Sequence, residues 1–275
     1  MSQLNGVPLS GHQPPTSLEE AAVHATIASD GSLNVVNFFM PFKKAQLDGA
    51  DKDSGTSPLE ILPSQYSCGD VSRIGVVTGK SSKTYWLNLD NLGGYQNGPN
   101  KGDAAIRVYQ NENSVYEGAG IYPLKGGYIN INLIDYQTHV FKFPCMNRVP
   151  SFTKVADFSE FNAGALGAGR GTVTSLNDQP RSGLVWVSDV EGLNLRIYNA
   201  VPVNGNLTLI NSLNTPRATK FTRPVFGDGI VYQGTTPGYL YAYGSPANLP
   251  LNCTPLDFGM NNLNTVLSDG RPMSG

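Results

Sequence analysis

Three observations predict an all-β chain folded as a partial β-propeller, with about four four-stranded antiparallel blades plus part of another. Short apolar strands alternate with turn residues, and the chain holds 31 Gly and 19 Pro. Charged residues are only 15% of it, against roughly 25% in an average soluble domain. One hairpin pattern also returns four times along the 275 residues, and a repeat of this kind decides the architecture.

The four copies are Ile74–Leu87, Gly127–Phe143, Gly183–Tyr198 and Gly229–Tyr243. The first and last align without a gap at an offset of 156, Ile74 with Ile230, Tyr85 with Tyr241 and Leu87 with Tyr243. With Tyr85, Phe141, Tyr198 and Tyr241 as equivalents, the steps are 56, 57 and 43 residues. Those steps are close to the ~40–50 residues of a four-stranded blade.

In chain order, Ser17–Ala22 has a capping-box shape but is too short to matter as a helix. Ala22–Ile27 and Leu33–Phe39 flank Asp30-Gly31, a hairpin signal, and read as the end of one more blade. Leu59–Leu62 precedes the first copy and Ala105–Tyr109 follows it. Phe152–Val155 follows the second. The third lies between Thr172–Ser175 and Leu207–Ile210, and Arg223–Phe226 precedes the fourth. Gly79, Gly192 and Gly238 are expected to supply the positive φ of tight turns. The strands holding Val76, Leu184 and Ile230 are too apolar to face water on both sides, so each sheet must stack on another. A β-sandwich or barrel is the alternative. Expected boundaries are a disordered segment over 1–16, blades over 17–249 and a tail over 250–275.

Lys and Arg total 19 against 21 Asp and Glu, a net charge of −2, which argues against a nucleic-acid partner held by a basic surface. Nothing approaches the ~18 consecutive apolar residues of a membrane span. The opening Met1–Gly6 shows no signal peptide. Cys68, Cys145 and Cys253 are too far apart for a zinc knuckle or a CxxC pair. They are either isolated packed thiols or a Cys68–Cys145 bridge with Cys253 left over. Asn206-Leu207-Thr208 and Asn252-Cys253-Thr254 are glycosylation sequons and fit an exported protein.

Candidate chemistry is sparse. Asp48, Asp51 and Asp53 with Gly55 suggest a calcium loop, with Asp51 and Asp53 as weak metal candidates. Ser54 takes the turn-glycine position and no bidentate Glu follows, so a solvated acidic turn is the competing reading. Gly79-Lys80-Ser81 lacks the earlier glycine of a phosphate loop and reads as a hairpin turn. Gly164–Gly171 is followed by Thr172-Val173-Thr174, which favours strand over a dinucleotide-binding helix. His12, His24 and His139 are scattered and read as surface or inter-blade residues. Trp86 and Trp186 lie inside strands, where packing is their expected role. Tyr95, Tyr109 and Tyr116 could stack on sugar rings or simply fill the core.

The hairpins Thr78–Trp86 and Val231–Ala242 resemble the blade repeats of the PQQ-like propeller superfamily, which includes quinoprotein alcohol dehydrogenases. Phe39-Met40-Pro41-Phe42, Asp51–Pro58 and Leu89–Tyr95 resemble segments of extracellular, especially fungal, members. The resemblance spans roughly Pro15 to Asp257. It implies a secreted glycoprotein and makes PQQ and calcium the family cofactors. Because the family carries more blades, it also implies a fragment, with an immunoglobulin-like domain following Pro250–Phe258 in larger relatives. It carries over no catalytic or cofactor-binding residue, and the adjacent Cys-Cys pair of the quinoprotein enzymes is missing from this sequence.

The expected function is a non-catalytic propeller module of a secreted protein with a carbohydrate or protein partner. The alternative is a PQQ-dependent dehydrogenase whose cofactor site lies partly outside this chain. An open stack of blades leaves apolar faces uncovered, which predicts self-association.

Overall fold

The computed structural model describes residues 18–244 except 53, 55, 56, 124–126, 163, 165–168, 170, 178, 180 and 219–221, together with the strand 265–266. The expected domain boundaries, His12, Asn252 and Cys253 lie outside the described residues.

The first blade holds β1 (Ala22–Ile27) and β2 (Leu33–Met40), antiparallel about a turn with Gly31 at φ 84°. A short helix, α1 (Lys44–Gly49), follows. The second blade is β3 (Glu60–Ile61), β4 (Ile74–Thr78), β5 (Lys83–Asn88) and β7 (Arg107–Gln110), side by side in that order. The two-residue β6 (Gly94–Tyr95) leaves this blade and pairs in parallel with β2.

The third blade runs β8 (Gly120–Tyr122), β9 (Tyr128–Ile131), β10 (Gln137–Lys142) and β13 (Thr153–Phe161). A small hairpin, β11 (Cys145–Met146) and β12 (Val149–Pro150), interrupts it. The fourth blade is β14 (Thr172–Thr174), β15 (Leu184–Asp189), β16 (Asn194–Asn199) and β18 (Leu209–Asn214). Its β17 (Asn206–Leu207) pairs in parallel with β13, so the single strand expected over Leu207–Ile210 is split between two blades. The fifth is β19 (Val225–Gly227), β20 (Ile230–Gly234), β21 (Leu240–Gly244) and β22 (Thr265–Val266), the last parallel to β21. The fold is a partial β-propeller of the expected kind.

What joins the blades is apolar burial between facing sheets. Phe39 of blade one meets Tyr85 of blade two at 5.0 Å between ring centroids. Trp86, fully buried, stacks on Phe152 at 4.7 Å and meets Phe141 edge-on at 4.9 Å, sealing blade two to blade three. Phe158 and Tyr198 join blades three and four at 4.1 Å, and Trp186 meets Phe226 of blade five at 5.2 Å. Along β5 the alternation is direct: Tyr85 and Leu87 pack back onto blade one, and Trp86 packs forward.

Polar contacts repeat with the blades. Thr78, Asn132 and Ser188, each at or just past the end of a second strand, donate a side-chain hydrogen bond across to the next blade. Their acceptors are the carbonyls of Glu117 (3.2 Å), Gly169 (2.5 Å) and Thr222 (3.3 Å). The backbone N–H groups of Asn111, Asn162 and Thr215 donate to the central hairpin turns at Ser82, Tyr136 and Leu193. This register makes Leu87, not Tyr85, the equivalent of Phe141 and Tyr198, a two-residue correction to the equivalence read from sequence.

In blades two, three and four the connection between the third and fourth strands reaches back to the previous blade. In blades two and four it does so through β6 and β17. In blade three the β11–β12 hairpin is tied by the Cys68–Cys145 disulfide to the β3–β4 connection of blade two, with Arg148 also paired to Asp70 at 2.5 Å. The bridge settles which of the two readings of these cysteines holds.

Two turn expectations are corrected. Gly238 has φ 88°, but Gly79 and Gly192 are not left-handed; Ser82 (φ 60°) and Leu193 (φ 54°) are. Gly192 is required for space instead, because a Cβ there would stand 2.7 Å from the Asp189 carboxyl carbon. At the start of the described chain, Leu18–Glu20 is a turn, with Glu20 at φ 64°, and β1 begins at Ala22.

Candidate functional site

A concavity lies where blade one's outer edge meets α1. Past Met40 the chain turns at Pro41, whose carbonyl accepts from the Lys44 N–H at 3.0 Å. Lys44 is buried, with its ammonium 2.5 Å from Asp48 and 3.5 Å from Glu19. Burial works against that charge, but Asp48 and then Glu19 outweigh it and hold the Lys44 pKa above its ordinary value. The Lys44–Glu19 pair therefore ties the helix to the turn before β1, while Lys44–Asp48 closes one turn within it.

Opposite it, Gly93 (φ 94°) and Gly94 (φ 73°) let the chain swing into β6, since a Cβ on Gly93 would fall 2.4 Å from the Ala104 carbonyl oxygen. Between the two lies a cleft of about 290 Å³ lined by Phe42, Lys43, Ala45, Gln46, Tyr95 and Gln96. Gln96 donates to the Tyr95 hydroxyl (3.0 Å) and the Phe42 carbonyl (3.4 Å), tying the two walls together.

Behind Phe42 the carboxylate of Asp103, 5% exposed, accepts the Phe42 N–H at 2.8 Å and lies 3.8 Å from Lys83. Desolvation raises its pKa, with Phe42 and Lys83 pulling the other way. Lys43 and Lys83 stand 5.5 and 5.1 Å from the Phe42 ring centroid, within cation–π range. The lining offers aromatic surface, two amides and one ammonium. Aromatic surface beside amides and an ammonium is a lining suited to binding a polar ligand.

The residues singled out from sequence are scattered. Tyr95 lines the cleft, although only 8% of it is exposed. Tyr109 packs edge-on against Phe141 at 4.9 Å, and Tyr116 is half-buried. Asp51 is 90% exposed with its carboxylate 3.2 Å from Lys80, Asp48 is taken by Lys44, and Asp53 lies outside the described residues. Among the described residues no group of three or more His, Cys, Asp or Glu is arranged to hold a metal ion. Gly79-Lys80-Ser81 forms part of the β4–β5 turn, and strand β14 follows the Gly164–Gly171 run.

The residues present do not fit PQQ as its family binds it. Trp86 is sealed between Phe141 and Phe152, and Trp186 is engaged by Phe226 and donates its Nε1–H to Thr174 at 2.8 Å. The disulfide joins residues 77 apart in sequence and not neighbours.

The constellation missed from sequence surrounds His139. Fully buried in β10, its Nδ1 faces Asp157 at 2.6 Å and its Nε2 faces Glu112 of blade two at 2.5 Å. Lys154 lies 2.9 Å from the other Asp157 oxygen. The bond from His139 and its charge outweigh desolvation and hold Glu112 below its ordinary pKa. With its ring fully buried and both nitrogens engaged by carboxylates of two blades, this imidazole ties blade two to blade three. Tyr85 and Arg196 occupy the same place in β5 and β16, Arg196 forming a buried ion pair with Asp189.

No family model matches the chain, and no curated protein sequence matches it. Among solved structures it is similar to a protein from Lactobacillus plantarum, with TM-score 0.55 and 16% identity over 83% of this chain and 62% of that one. It also matches BamB from Moraxella catarrhalis (TM-score 0.39, 14% identity, 68% of this chain and 45% of that one). A third is the Swd1 β-propeller domain of Myceliophteria thermophila (TM-score 0.41, 11% identity, 75% and 57%). At these identities the likeness is one of fold. The chain spans less than two thirds of the length of each. Among the described residues no helix is long and apolar enough to cross a membrane.

Proposed function

We propose that this chain is a non-catalytic β-propeller binding module of a secreted protein, and that the cleft beside α1 takes a carbohydrate. The observation that carries this reading is the cleft lining. Phe42 and Tyr95 supply apolar ring surface, while the Gln46 amide and the Gln96 side-chain carbonyl supply polar groups suited to hydroxyls. Export is supported by the Cys68–Cys145 bridge, since disulfides persist in oxidising compartments, and by the exposed Asn206 of its sequon. Kinship with the PQQ-like superfamily is part of the proposal and rests on the repeat and loop resemblances.

A glycan array followed by calorimetry on Phe42→Ala and Gln96→Ala tests it. Binding that both substitutions weaken supports the cleft. A flat array removes the carbohydrate and leaves a scaffold. A thermal shift requiring PQQ and Ca²⁺ together would favour the oxidoreductase alternative instead.

A further inference from the structure

We infer that the saccharide taken by this cleft is anionic, carrying a carboxylate or sulfate that the Lys43 ammonium recognises; this rests on the proposed carbohydrate reading. The argument is a charge census around the cleft. Of the lining residues only Lys43 is charged. Neighbouring Lys44 is buried and neutralised by Asp48 and Glu19, so it presents nothing to the cleft. Lys83 is opposed by Asp103, whose carboxylate accepts from the Phe42 backbone N–H and so points behind the wall. The lining itself therefore contributes one positive charge, that of Lys43.

That charge is local, because the whole chain carries a formal −2. Non-specific attraction of anions to the molecule is accordingly not expected. The Lys43 ammonium stands 5.5 Å from the Phe42 ring centroid, so a sugar lying against Phe42 comes within reach of its flexible stem. Among the described lining residues no carboxylate is present to repel an acidic group, and the Gln46 amide and the Gln96 side-chain carbonyl remain for the hydroxyls.

The test is an array of matched oligosaccharides: uronates, their neutral methyl esters, sulfated oligomers and the unsulfated parents. It is probed with the full chain and with Lys43→Gln and Lys43→Arg. The acidic members are expected to bind roughly five-fold tighter than their neutral partners, the size of about 1 kcal/mol at an exposed charge. That preference should disappear in Lys43→Gln, survive in Lys43→Arg and shrink as salt is raised from low ionic strength to 0.5 M. The uronate and sulfate arms show which acidic group is taken. Equal binding of acid and ester, or a preference untouched by Lys43→Gln, overturns the inference while leaving the carbohydrate reading intact. Silence across the array overturns the carbohydrate reading itself. Because Lys43 is exposed and its backbone, not its side chain, continues into α1, circular dichroism of the variants should match the parent.

Discussion

Replacing Cys145 by serine opens the bridge that ties the β11–β12 hairpin to blade two. Cys145 is exposed, so the substitution leaves no cavity, and Cys68 keeps its buried place. The effect is therefore that of the cross-link itself. Closing a loop of 77 residues removes about 15 cal/mol/K from the unfolded chain, or about 4.5 kcal/mol at 25 °C. Residual structure in the unfolded chain lowers that figure, so a loss of about 2–4 kcal/mol is expected. With an m-value near 3 kcal/mol/M, the urea midpoint should fall by roughly 1 M. Fluorescence suits the measurement, because Trp86 sits in the seam between the bridged blades. Reductant should reproduce the shift in the parent and do nothing to the variant. A midpoint moved by less than about 0.3 M, under 1 kcal/mol, would refute the claim that the bridge restrains the chain.

Three further outcomes are expected. Trp86→Ala removes a fully buried ring between two aromatic neighbours and should cost about 3–5 kcal/mol, seen as an earlier urea midpoint followed by circular dichroism. Glu112 titrates below its ordinary 4.5 in the folded chain, so its contribution is complete above that pH and drains away as the pH falls through the lower folded value. Stability measured from pH 5.5 to 3 should thus fall less steeply in Glu112→Gln than in the parent. Finally, Ile27, Leu33 and Val36 stand 75%, 60% and 41% exposed on the open first blade. The isolated chain should sediment as associated species, and Ile27→Lys should shift it toward monomer.

The hairpins were readable because each strand is long enough for apolar residues to show. The 156-residue offset even carries β4 onto β20 residue for residue, Ile74–Thr78 onto Ile230–Gly234. What stayed hidden is short or non-local. The strands β6 and β17 have two residues each, too few for any period, and their partners lie in another blade. Helix α1 shows no apolar face, and its one buried residue is Lys44, paired with Glu19 outside the helix. Half of the cleft is therefore invisible in the sequence, where Tyr95 alone among its residues reads as a sugar contact. His139 meets Glu112 and Asp157 across 27 and 18 residues, a spacing that matches no catalytic or metal motif. The turns at Ser82 and Leu193 show why the glycine rule misled. A left-handed φ does not demand glycine when N–H groups from outside the hairpin, those of Asn111 and Thr215, hold the turn carbonyls in place.

The backward reach of β6, the bridged hairpin and β17 gives the assembly a direction. Blades two and four lace the outer strand of the one before them, as overlapping tiles do, and blade three is bridged back to blade two. Unravelling blade four would bare the outer strand of blade three, whereas unravelling blade one would strip only the partner of β6 from blade two. Wear on such a molecule should advance toward its beginning, and a nick between β16 and β18 should loosen more than the sheet in which it falls.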